Sequence, residues 1–247
     1  MKLKTYILAA VTSLGLAAPA SAAPVDLELQ LLVDVSGSVS ASEFNLQRSG
    51  YEAAFRSASI INAITGGTIG AIAAQLVYWS SSSQQAIGVG WTYIADSTTA
   101  NAFADAIAAA GRPFSGGTSI DAAIRFANPL YDSNGFEGTR LVMDISGDGT
   151  SSKSSTEAAR DAAEALGITI NGLPIGGSSS VESFYTNSVI TSDGFVVAAS
   201  SFDDFGRAVA KKLEIEIGGS PIPIPAGGWL LLTGVGGLMA MRRRKKA

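Results

Sequence analysis

The chain has 247 residues, with 17 Lys and Arg against 21 Asp and Glu for a net charge of −4, and contains neither histidine nor cysteine. That excludes Ser-His-Asp and Cys-His catalysis, thiolate nucleophiles, disulfides, zinc sites of the His/Cys kind and the usual haem and iron–sulfur ligation. What remains for chemistry is oxygen from carboxylates, hydroxyls and carbonyls, a donor set that favours hard cations such as Mg²⁺, Mn²⁺ or Ca²⁺.

The charge is unevenly placed. Lys2 and Lys4 open the chain, Arg242 to Lys246 close it, and residues 23–219 carry 10 basic and 21 acidic groups. An acidic body argues against nucleic-acid binding, which needs a basic footprint. Each basic cluster instead flanks an apolar run.

At the start, Lys2 and Lys4, the apolar stretch Ile7 to Ala18 and the small-residue pattern Ala20-Ser21-Ala22 form the three parts of a secretory signal peptide over residues 1–22. The apolar run is short for a membrane anchor. A domain is expected over 23–217, about 197 residues to the Gly-Gly pair at 218–219, enough for one α/β unit with a full core.

Within it, Leu27 to Val35 is a near-continuous apolar run, as expected of a central buried strand. Ser40 to Ile64 carries Phe44, Tyr51, Phe55 and Ile60 at helical spacing, with Ser40 or Ser42 as N-cap. Strands are expected at Ile69 to Ser80 and Gln85 to Trp91, joined by the Ser-rich turn at 80–83, with Tyr78, Trp79 and Trp91 as core or sheet-face residues. Helices at Thr98 to Ala110 and Ser119 to Leu130, a strand at Thr139 to Ser146, a helix at Ser155 to Leu166 and a strand at Ile168 to Ile175 follow. Phe195 to Ala199 completes the sheet, and Phe202 to Ile215, with Asp203 and Asp204 favourably placed at its start, closes the fold. The alternation predicts an α/β, doubly wound, mostly parallel six-stranded sheet with one antiparallel edge hairpin and helices on both faces.

Ligands in such sheets bind beyond the carboxyl ends of the strands, near a topological switch point. Three loops there carry oxygen side chains beside glycines: Asp34-Val35-Ser36-Gly37-Ser38, Ser115-Gly116-Gly117-Thr118 and Ser146-Gly147-Asp148-Gly149. Asp34, Ser36, Ser38, Thr118 and Asp148 supply five oxygens, one short of an octahedron, a set suited to a hard divalent cation with one position open for an acidic ligand. Asp144 is unexpected in a central strand. It either supports the ligands from beneath the ion or faces a polar pocket or helix end, and Arg140 and Arg125 are candidate partners. Asp121, three residues after Thr118, suits a capping box better than metal ligation.

These three segments resemble the metal-ion-dependent adhesion site (MIDAS) of von Willebrand factor A (VWA) domains: D-x-S-x-S, then Thr, then Asp. The resemblance spans residues 26–217, and Val142 to Gly149 is most similar to the secreted bacterial DUF1194 branch. It implies that Ser36, Ser38 and Thr118 are hydroxyl ligands, that Asp34 and Asp148 coordinate directly or through water, and that the cation is Mg²⁺, with Mn²⁺ or Ca²⁺ as alternatives. The sixth position would be filled by a partner protein's Asp or Glu. The expected function is therefore a non-enzymatic, metal-dependent protein-binding module. The alternatives are a Mg²⁺-dependent phosphatase of the haloacid-dehalogenase type, whose D-x-D loop Asp34-Val35-Ser36 lacks, and a structural extracellular-matrix protein with a stabilising metal.

The end of the chain has three parts. Ile222-Pro223-Ile224-Pro225-Ala226 closes a linker over 218–226, the apolar run Gly227 to Met241 follows, and then Arg242 to Lys246. Trp229 at the outer edge and the basic cluster at the inner edge suit a membrane helix with a cytoplasmic tail over 227–247. The arrangement resembles the PEP-CTERM sorting signals of Gram-negative bacteria in their VPLPA variant, with a plain tail anchor as the alternative. It implies an exosortase-like membrane protease as partner and a destination in the periplasm or at the cell surface.

Overall fold

The computed structural model describes residues 22–132 and 134–219. The expected signal peptide (except Ala22) and the carboxy-terminal helix with its sorting motif lie outside the described residues. Among the described residues no helix is long and apolar enough to cross a membrane.

The main sheet holds β2 (Leu27–Asp34), β3 (Ile72–Trp79), β4 (Gln85–Ile94), β6 (Leu141–Gly147) and β7 (Ile168–Pro174) in the order β4-β3-β2-β6-β7. All neighbours run parallel except β3 and β4, the antiparallel edge hairpin. Strand β2 is buried along its whole length, which explains its five large apolar residues, while its polar members Glu28, Gln30 and Asp34 are buried beside them. A separate parallel pair, β1 (Ala23–Val25) with β5 (Phe136–Gly138), was not anticipated. These strands are three residues long, too short for a periodic signal.

Helices α1 (Ala41–Arg56), α2 (Ala58–Thr65), α3 (Ser97–Ala109) and α7 (Phe205–Gly218) cover one face of the sheet. The other face is covered by α4 (Ile120–Ala127), α5 (Lys153–Ala165) and the short α6 (Ser179–Phe184), which runs into a π-helical turn at Tyr185–Val189. The doubly wound architecture is thus as expected, with local corrections.

The expected sixth strand, 195–199, meets β7 only at two isolated bridges, Gly172 with Val196 and Ile175 with Ala199. Between them a parallel ladder needs an N–H at position 174, and Pro174 has none. The single helix expected over 40–64 is two, because Ser57 adopts an extended backbone, its hydroxyl donates to the Ala54 carbonyl and its oxygen accepts the Ile60 N–H. Ser40 is the N-cap of α1, in a reciprocal capping box with Glu43. Helix α4 gives way to a 3₁₀ turn at Asn128–Tyr131, where Pro129 lacks a helical donor.

Candidate functional site

Strands β2 and β6 are neighbours, yet the chain leaves β2 for β3 on one side and later returns to β6 on the other. Their carboxyl ends therefore border the switch-point crevice. Asp34 ends β2, Asp148 follows β6, and the Gly116–Thr118 loop enters α4 beside them.

The three loops are joined. The Ser36 N–H donates to Asp34 Oδ1 at 2.7 Å, the Ser36 and Ser38 hydroxyls share a hydrogen bond of 3.0 Å, and the Ser38 hydroxyl donates to Asp148 Oδ1 at 2.7 Å. The Gly37 N–H donates to the Gly116 carbonyl at 2.7 Å, tying the first loop to the second. Thr118 lies against Gly149, its Oγ1 3.5 Å from where a Cβ on that glycine would stand. The expected residues Asp34, Ser36, Ser38, Thr118 and Asp148 are thereby gathered at one end of the sheet.

Asp34 is fully buried, and its Oδ2 has no hydrogen-bond partner. Burial raises its pKa to about 7, opposed by the hydrogen bonds from Ser36 and reinforced by the charge of Asp148. A buried carboxylate oxygen without a donor is costly, and a bound cation is one remedy. Among the described residues no three carboxylates cluster closely enough to hold an ion. A cation here would rest on two carboxylates and hydroxyls, and that oxygen-only set fits a hard ion.

Residues outside the loops brace them. Arg112 Nη2 donates to the carbonyls of Val35 and Ser36, each at 2.8 Å, and to the Ser115 hydroxyl at 3.2 Å. The Ser80 hydroxyl donates to the Gly117 carbonyl at 2.9 Å, and the Gln47 side-chain amide to the Asp34 carbonyl at 3.1 Å. Sequence reading missed all three. Only Arg112 left a trace, as a lone basic residue just ahead of the Ser-Gly-Gly-Thr loop.

Asp144 is not part of this network. It pairs with Lys212 of α7, and neither arginine named from sequence is its partner. Arg140 instead donates to the carbonyls of Glu216 and Ile217 at the end of α7, and Arg125 pairs with Asp121. Nor does Asp121 form a capping box: Ser119 is the N-cap of α4 without a side-chain cap, and its hydroxyl donates to Asp121 at 2.7 Å.

A family model described as "Protein of unknown function (DUF1194)" matches residues 24–221. The chain belongs to the DUF1194 family. Among curated proteins none matches.

Solved structures resemble this DUF1194 domain in fold. Proximal thread matrix protein 1 from the mussel byssus, in a structure described as having a zinc-occupied MIDAS motif, is 14% identical over 80% of this chain and 47% of its own, with a TM-score of 0.55. The pilus adhesin SpaC from Lactobacillus rhamnosus GG is 17% identical over 79% of this chain and 30% of its own, at 0.57. A von Willebrand factor type A protein from Catenulispora acidiphila is 12% identical over 78% of this chain and 43% of its own, at 0.55. The chain spans less than half the length of each. At these identities the likeness establishes the fold, which is that of a VWA domain.

Proposed function

We propose that this protein is an exported binding module that holds a divalent cation on Asp34, Ser36, Ser38, Thr118 and Asp148 and offers it to an Asp or Glu carboxylate of a partner protein. The observation that carries this reading is the fully buried Asp34, whose Oδ2 lacks a partner beside a linked set of hydroxyls and Asp148. The MIDAS named for the mussel protein and the adhesin description of SpaC support it. When bound, the cation supplies a positive centre that can accept an outside carboxylate.

The chain's own residues do the rest. Arg112 and the Gly37–Gly116 hydrogen bond hold the loops in register, and Gln47 anchors the backbone of Asp34. Mg²⁺ is the expected ion, with Mn²⁺ and Ca²⁺ as further oxygen-seeking candidates. Export is part of this reading, supported by the signal-peptide pattern of residues 1–22. The carboxy-terminal motif supports a destination in the periplasm or at the cell surface, with an exosortase-like protease as the sorting partner.

The test is thermal unfolding of the purified protein with increasing Mg²⁺ or Mn²⁺. Binding to the native state alone raises the melting temperature, by a free energy of about 2.7 kcal/mol at 100 times Kd. Asp34→Ala and Asp148→Ala should each abolish the rise. A wild-type protein indifferent to both ions would refute the reading.

A further inference from the structure

Tyr185 belongs to no loop of the candidate cation site, yet its side chain ends beside it. The residue is fully buried at the start of the π-helical turn after α6, and its hydroxyl has no hydrogen-bond partner. Two strands leave room for it. A Cβ on Gly172 of β7 would stand 2.8 Å from Tyr185 Cδ1, so the ring lies where that strand has no side chain. A Cβ on Gly147 of β6 would stand 2.8 Å from the Tyr185 hydroxyl and equally 2.8 Å from Asp34 Oδ2.

The two unpartnered polar atoms therefore both lie within 2.8 Å of one point beside Gly147. Their separation is no more than a single bridging water can span. A phenol keeps its proton at neutral pH and can donate, and a carboxylate oxygen accepts. Tyr185 is thus a donor facing an acceptor. Short π-helical turns of this kind recur at functional sites.

We infer that Tyr185 is a positioning residue for the cation site, its hydroxyl donating to the Asp34 carboxylate across Gly147, directly or through one water. The inference rests on the cation reading above. A carboxylate has about four lone-pair directions. A donor from beneath, together with the Ser36 N–H, fixes its rotation and leaves the remaining directions for the ion. Outer partners of this kind typically contribute 10–100-fold in metal affinity.

The experiment measures Mn²⁺ affinity of the full-length protein by calorimetry, together with its melting temperature without metal. Tyr185→Phe removes one oxygen and keeps the ring. It is expected to weaken Mn²⁺ binding about 10-fold or more, with the metal-free melting temperature lowered by no more than the loss of one buried hydrogen bond explains. Gly172→Ala displaces the same ring without touching Asp34 or Gly147 and should also weaken binding. Mn²⁺ should further perturb the tyrosine ultraviolet spectrum of the wild type and of Tyr51→Phe, but not of Tyr185→Phe. Wild-type affinity in Tyr185→Phe, or a spectral change that survives in it, overturns the inference while leaving the cation site intact. A wild type that takes up no Mn²⁺ overturns the cation reading itself.

Discussion

The Lys212 ammonium lies 2.6 Å from Asp144 Oδ1, and both side chains are completely buried between α7 and β6. The same ammonium lies 2.5 Å from Glu216 Oε1, which also accepts from the Asn171 side-chain amide at 2.8 Å. One cation thus serves two carboxylates in the dry interior. The cluster ties the last helix to the centre of the sheet, and its charge does not balance unless one carboxyl stays protonated.

Removing the cation should be severe. Lys212→Met leaves Asp144 and Glu216 facing one another without a counter-charge, and breaking a buried ion pair typically costs about 3–5 kcal/mol. Chemical denaturation should show a loss of that size. Replacing all three with apolar residues of similar volume should recover most of it, because the desolvation penalty goes with the charges.

The same cluster makes stability depend on pH. Burial first, then the charge of Asp144, raises Glu216 from its ordinary 4.5 to about 7, against the pull of Lys212 and Asn171. As pH rises from 4.5 toward 7 the unfolded chain gives up this proton while the folded protein keeps it. Stability therefore falls across that window and levels off above it. Asp34 contributes with the same sign, from 3.8 to about 7 in the metal-free protein. Melting temperatures of Glu216→Gln against wild type should isolate the Glu216 part as a shallower decline. A difference that does not change with pH would contradict this account.

Cation binding should show the opposite trend. Asp34 must lose its proton to hold an ion, so binding releases a proton below about pH 7. Mn²⁺ affinity should rise about tenfold per pH unit up to that point and then flatten. Calorimetric titrations in buffers of different ionisation enthalpy would count the proton directly. In Asp34→Asn the metal response should vanish, while the metal-free protein at neutral pH should be no less stable than wild type, since a buried charge is gone.

Arg112 should matter to the site without touching an ion. Its guanidinium satisfies two backbone carbonyls of the first loop, and Arg112→Met orphans both. Mn²⁺ affinity is expected to fall about 10–100-fold. Denaturant unfolding should also report a stability loss of about 1–3 kcal/mol.

Periodicity and local chemistry made much of this protein legible from its residues. The near-continuous apolar run Leu27 to Val35, the alternation of strands with helices and the hairpin around the Ser-rich turn at 80–83 declare a doubly wound sheet, because burial imposes its period on the chain. The five oxygen residues of the three loops were visible because a strand ending in D-x-S-x-S is a local pattern with a chemical meaning. Tertiary structure alone decided what lies across the sheet from those patterns. Lys212 answers Asp144 from 68 residues away, Arg112 reaches back to Val35 and Ser36, and Tyr185 comes to rest over Gly172 and Gly147. A buried charge or hydroxyl requires a partner, but the requirement names no sequence distance. The partner is whichever side chain the packing of helices on strands brings there.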